Sequence, residues 1–286
     1  MRNNWLDTSE YPFTSKYFTI NENKMHFIDE GCGDIILFIH GTPSWSFDFR
    51  NVIKALRNDF RCIAIDHIGF GLSDKPENYD YSTQNHSKTL EVFVFEKKLR
   101  NISLVVHDFG TLIGMDFAIR NSHVIKNLII LNSWLWNTTE DPSFSRQSKI
   151  IKSPLLPLLY CYLNFSPKYI LPRSFGKHKL SKHLLGHYTK PFASRRQRNG
   201  TLAFARSLVN DQDWFQKLWE NKTTVSSKPA LFVWGMNDPI IKPNYLEKFV
   251  SGFPDAEVVK LETCGHFPQE EHPEIVAKSI RDFLKR

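Results

Sequence analysis

The sequence predicts an α/β protein: a mostly parallel sheet flanked by helices on both faces, with a helical segment inserted between two strands. Two observations carry this prediction. Short apolar runs ending in glycine or a polar residue alternate with amphipathic stretches through residue 136 and again after residue 228. Between them, 137–222 is punctuated by Pro142, Pro154, Pro157, Pro167, Pro172 and Pro191 and offers helical patterns without a strand pattern. A βαβα order needs crossover helices, which cover both faces of a parallel sheet.

The elements follow in order. "YFTI" and "KMHFIDE" (within 17–30) read as an antiparallel hairpin at the sheet edge. "GDIILFIHG" (33–41) and "FRCIAIDHIGFG" (60–71) are buried strands closed by glycine turns, with an amphipathic helix at 48–58 between them. A helix at 84–100 leads to "ISLVVHD" (102–108), and a helix at 111–121 leads to "IKNLIILNS" (125–133). After the insertion come "KPALFVWGMND" (228–238), "AEVVKLETCGH" (256–266) and a closing helix, "PEIVAKSIRDFLKR" (273–286). The chain thus divides into a core over 1–136, an inserted helical unit over 137–222, and the rest of the core over 223–286.

Bulk composition narrows the function classes. With 286 residues, 41% hydrophobic and 23% charged, the chain has the make-up of a soluble globular protein. "MRNNWLDTSEYPF" has no apolar core behind its charges, and "SPLLPLLYCYLNF" (153–165) is too short to span a bilayer. Cys32, Cys62, Cys161 and Cys264 lie far apart, which favours free thiols and a cytoplasmic location. The net charge of +7, including "RRQR" at 195–198, reads as a solvated basic face, because no nucleic-acid-binding motif accompanies it. No Cys, His and carboxylate cluster has metal-ligand spacing, and no glycine-rich phosphate loop follows a strand. The expectation is a monomer or weak homo-oligomer that acts on a small organic molecule, with no cofactor, metal, nucleic acid or membrane partner.

Chemistry in such sheets gathers at the carboxyl ends of the strands. Asp108 ends one strand, Asp238 another, and His266 follows a third. Each has a structural alternative: a helix cap for Asp108, a turn before Pro239 for Asp238, and a core histidine for His266. Together, in this order, they match the nucleophile–acid–histidine order of the strand-to-helix elbow, with an aspartate where serine is usual. "HGTP" (40–43) ends the first buried strand, so the backbone N–H groups of Thr42 and Phe109 are the candidates for holding a developing negative charge.

"HGTPSWSFDFR", "DHIGFGLSDKP", "VVHDFG" and "CGHFPQEEHPE" together resemble the haloalkane dehalogenases of the α/β-hydrolase superfamily. The likeness runs in order along nearly the whole chain and implies that fold, with 137–222 as its helical cap. It also implies a role for the carboxylate. Asp108 attacks an sp³ carbon, halide leaves, and His266, oriented by Asp238, activates a water to hydrolyse the alkyl ester. The family usually carries a tryptophan after the nucleophile to hold the halide, and often an asparagine after "HG". Here those positions are Phe109, which has no donor, and Thr42. Trp134 and Trp136 in "NSWLW" are the candidate replacements lining the pocket. Two alternatives stand beside this reading. An epoxide hydrolase would use hydroxyls among Tyr160, Tyr162, Tyr169 and Tyr188, and a ligand-binding member would keep the fold without the reaction.

Overall fold

The structure is a computed structural model that describes residues 4–286. Eight strands form one sheet: β1 (Lys16–Ile20), β2 (Asn23–Glu30), β3 (Ile35–Ile39), β4 (Arg61–Ile65), β5 (Ile102–His107), β6 (Ile125–Leu131), β7 (Ala230–Gly235) and β8 (Glu257–Leu261). Their order is β1-β2-β4-β3-β5-β6-β7-β8. β1 and β2 form the expected edge hairpin, and β2 meets β4 antiparallel; all later pairings are parallel. Every residue of β5 is buried, as a continuous apolar run predicts for a strand covered on both faces.

Strand alternation divides the core into two layers. Leu37, Ile39, Leu104 and Val106 face one layer, and Ile36, Phe38 and Val105 face the other. The first layer is closed by α2 (Thr83–Glu96) and α3 (Phe109–Arg120), whose Phe93 and Leu112 pack into it. The second is closed by α1 (Arg50–Leu56) and α11 (Pro273–Leu284), through Val52, Ile53, Val276 and Ile280.

Between β6 and β7 the described residues form helical segments and loops, without a strand. These are α4 (Pro142–Ile151), two π-helical turns (Leu158–Tyr162 and Ser166–Ile170), α5 (Leu171–Arg173), α6 (Lys182–Thr189), α7 (Asn199–Asn210) and α8 (Gln212–Glu220). Helix α9 (Pro243–Gly252) follows β7, and α10 (Pro268–Glu271) precedes α11. Helix α9 has no counterpart among the elements predicted from the sequence. Its signal is short: Pro243 at the first turn, then Tyr245, Leu246 and Phe249 at helical spacing and buried. The predicted helix at 48–58 divides into a 3₁₀ turn over Ser46–Phe49 and α1, and β8 ends five residues before His266.

Candidate active site

The elbow between β5 and α3 puts Asp108 at φ 51 and ψ −130, a positive-φ conformation outside the left-handed helical region and rare for a residue with a side chain. Two close approaches force the turn. A Cβ on Gly110 would sit 2.2 Å from the Ile39 carbonyl oxygen, and one on Gly41 would sit 2.2 Å from Asp108 Oδ1. Glycine at both positions lets α3 start against β3 and lets the 41–43 turn lie on the carboxylate. Asp108 makes no side-chain cap to α3, so the capping alternative does not apply. Ser133 instead donates to the Asp108 carbonyl at 2.7 Å, tying the elbow to the end of β6.

The Asp108 carboxylate is buried and its two oxygens are differently engaged. Oδ1 accepts the Thr42 N–H at 2.9 Å, and the Phe109 N–H also bonds the carboxylate. Oδ2 lies 3.4 Å from His266 Nε2. On its other side, His266 Nδ1 meets Asp238 Oδ2 at 2.7 Å. The structure therefore brings all three predicted strand-end residues into one chain of contacts. Asp238 also serves its turn, accepting the N–H groups of Ile240 and Ile241 on Oδ1 at 2.7 and 3.0 Å.

Burial opposes charge on both partners, and the partners overcome it. Desolvation alone would lower the His266 pKa, but Asp238 and Asp108 raise it to about 10. Burial would raise the Asp108 pKa, but contacts with His266 hold it below its ordinary value. The neighbouring carboxylates thus favour a proton on His266, and His266 favours the charged form of Asp108.

Sequence reasoning missed three supporting residues. Asn132 donates to Asp238 Oδ2 at 2.8 Å while bonding both the N–H and the carbonyl of Gly235, so it locks the acid to the end of β7. His107 Nε2 lies 2.7 Å from the His266 carbonyl oxygen; burial pushes its pKa down to about 3, so the ring is neutral and donates there. Glu271 accepts from Gly265 N at 2.8 Å and from Gly176 N at 3.1 and 3.0 Å, joining the histidine loop to the insertion. The first two stand beside the strand ends, where position alone could have drawn attention to them. Glu271 lies in a helix turn and carries no such signal.

Above Asp108 is a cavity of about 340 Å³, walled mainly by apolar side chains of the insertion, such as Phe144, Ile151, Leu156 and Leu208. Trp134 lines it, with its ring edge-on to Phe109 at 5.0 Å. The buried Trp134 Nε1 and Thr42 Oγ1, both on lining residues, have no hydrogen-bond partner among the described residues. Trp136 corrects the sequence expectation: it is absent from the lining and packs into the core against Trp219, Tyr245 and Phe249. Chain direction explains the difference, because two residues past Trp134 the backbone has turned toward α8 and α9.

Of the four tyrosines considered for an epoxide, only Tyr160 lines the cavity. Tyr162 and Tyr169 are exposed, and Tyr188 donates to Glu270 at 2.9 Å. A further lining tyrosine, Tyr245, donates to Asp141 at 2.8 Å. Among the described residues, no group of three or more His, Cys, Asp and Glu side chains could hold a metal ion.

Residues 34–273 match the alpha/beta hydrolase fold family. The chain belongs to that family. This hydrolase is 32% identical over 280 residues to haloalkane dehalogenase 2 of Mycobacterium tuberculosis, covering 96% of each chain. It is 33% identical over 288 residues to a cis-3-alkyl-4-alkyloxetan-2-one decarboxylase of Shewanella oneidensis, covering 98% of this chain and 90% of that one. Among solved structures it resembles haloalkane dehalogenase DatA of Agrobacterium tumefaciens (TM-score 0.86, 25% identity, 96% of each chain). It also shares its fold with haloalkane dehalogenase DbeA of Bradyrhizobium elkani (TM-score 0.85, 22% identity, 96% and 98%). The enzyme is a hydrolase similar to the dehalogenases.

Proposed function

We propose that this hydrolase cleaves a carbon–halogen bond through a covalent ester on Asp108, with residues 137–222 as the cap over its substrate. One observation carries the reading: a buried carboxylate with Oδ1 held by the Thr42 N–H, Oδ2 toward His266 and the Phe109 N–H also on the carboxylate, beneath an apolar cavity. Oδ2 attacks the carbon and the halide leaves with its electron pair. Oδ1, already held by the Thr42 N–H, becomes the ester carbonyl, and the Phe109 N–H joins Thr42 in stabilising the oxyanion of the next step.

The electrostatics order the two steps. Before reaction Asp108 and Asp238 both favour a proton on His266, which works against its acting as a base. Alkylation removes the charge of Asp108 and with it part of what holds the proton on His266. The proton departs with the halide, and neutral His266 then takes a proton from water as the water attacks the ester carbonyl. Collapse expels the alcohol, which receives that proton, and the remaining hydroxyl proton of the new carboxyl passes to His266, restoring the carboxylate. Trp134 Nε1 and Thr42 Oγ1 are the unpartnered donors for the leaving group.

A second reading draws support from the Shewanella relative and from Phe109 standing where a halide-binding tryptophan is usual. Attack by Asp108 on the sp³ ring carbon of an oxetan-2-one would free a carboxylate. Loss of carbon dioxide would then expel Asp108 and leave an alkene. No water is consumed, so His266 is not needed as a base.

The test is single turnover in heavy-oxygen water over a haloalkane panel, with a cis-oxetan-2-one in parallel. The expected result is halide release with the label in the peptide bearing Asp108. His266→Phe should stop after halide release with the alkyl group retained as added mass. Carbon dioxide and alkene from the oxetan-2-one, undiminished in His266→Phe, would favour the second reading; label in the alcohol alone would overturn the covalent ester on Asp108.

A further inference from the structure

Residues 142–210 contain 13 of the 37 basic residues and none of the 30 acidic ones, so the rest of the chain carries a formal charge of −6. The outer surface of this segment is also apolar. Leu155, Leu158, Tyr162 and Leu163 are 60%, 48%, 57% and 48% exposed, at a spacing that puts them on one side of the helical turns there. Leu156 and Cys161 point inward onto Leu202 and Ala205. A surface helix normally turns its polar side outward; this one has apolar residues on both sides. Exposed Lys149, Lys152 and Lys168 lie in and around it, and the Arg195 guanidinium stands 5.0 Å above the Tyr162 ring.

We infer that this face docks on an anionic lipid surface, inserting Leu155, Leu158 and Leu163 at the headgroup boundary while the lysines and arginines meet lipid charge. Apolar side chains set among basic ones are the chemistry of interfacial binding. The charge excludes a like face of a second copy, because both would be strongly positive. It fits nucleic acid poorly, since leucines offer phosphate nothing. No helix among the described residues is long and apolar enough to cross a membrane, so the contact is peripheral.

The location bears on the reaction. Ile150 is 52% exposed and also lines the cavity, so the cavity wall reaches the exposed surface on this segment of the chain. A groove lined by Tyr169, Arg173 and Pro239 shares Phe165, Ile170, Ser174 and Ile240 with that cavity. For the carbon–halogen reading above, the consequence is a lipophilic substrate drawn from the bilayer. The docking itself does not depend on that reading.

The whole protein should co-sediment with phosphatidylcholine vesicles containing phosphatidylglycerol, but not with phosphatidylcholine alone, and added salt should weaken the binding. Leu155→Ser/Leu158→Ser/Leu163→Ser, checked for native circular dichroism, should reduce binding about tenfold or more, and Lys152→Glu/Lys168→Glu likewise. Because the assay needs no turnover, its failure is separate from failure of the proposed reaction. No anionic-vesicle binding at low salt would overturn the inference. So would self-association or duplex DNA binding that these substitutions abolish while vesicle binding persists.

Discussion

Trp134 carries a buried indole N–H that lines the same cavity as Asp108 and has no acceptor among the described residues. Leaving such a donor unmet costs about 1–3 kcal/mol, so its removal should not weaken the fold. A leaving group that accepts from it changes the outcome for catalysis. Trp134→Phe is expected to keep or raise the melting temperature while slowing halide release by roughly 10²–10³-fold. Chloride or bromide should quench tryptophan fluorescence in the parent and lose that effect in the variant. Unchanged release would remove Trp134 from the reaction and leave Thr42 Oγ1 as the candidate.

The connections between elements decide whether the three strand-end residues stay together. His266 is the most exposed to drift, since it lies beyond the end of β8 on a loop. Three contacts fix it: His107 at its carbonyl, Ser174 O accepting its N–H at 2.8 Å, and Glu271 below it at Gly265. Glu271→Ala should strand the Gly176 and Gly265 N–H groups, lowering stability by about 1–3 kcal/mol. In the proposed reaction, where only the second step needs His266 as a base, it should also slow ester hydrolysis more than halide release, measured by stopped-flow and by adduct mass. Glu271→Gln, with one acceptor retained, should recover part of both. Equal slowing of the two steps would make Glu271 a purely structural residue. This clamp also marks the limit of what was legible in advance. Strand runs and their polar ends announce β5, β7 and the trio Asp108, Asp238 and His266, because periodicity and strand-end position are local properties. Glu271, Asn132 and the inward course of Trp136 depend on contacts between segments far apart in sequence, which no local pattern encodes.

The whole molecule holds a buried acid on the side of the sheet closed by α1. Asp48 is fully buried, and burial pushes its pKa up to about 8, even with Arg50 beside it. Gln269 Nε2 donates to it at 3.1 Å, while Gln269 Oε1 lacks a donor among the described residues; a proton on Asp48 offers it one. The folded protein keeps this proton in a range where the unfolded chain, titrating near 4, has released it. Stability should therefore fall as pH rises from about 4 to about 8. Asp48→Asn needs no proton and should remove that slope, gaining on the order of a few kcal/mol near pH 8. Urea unfolding at several pH values decides it; parallel slopes in parent and variant would show that Asp48 is ionised in the fold.

The ties from Ser174, Gly176 and Lys177 to the loop around His266 bear on anyone who would exchange the roof of this enzyme for another. The machinery below stands on the sheet, yet this stretch of the insertion is one of the supports of the histidine. Transplants cut at the outer borders of the insertion would discard that support along with the old substrate wall. Grafts that replace the wall but retain Ser174–Lys177 should inherit a working base, and so change what is recognised without changing how it is cleaved.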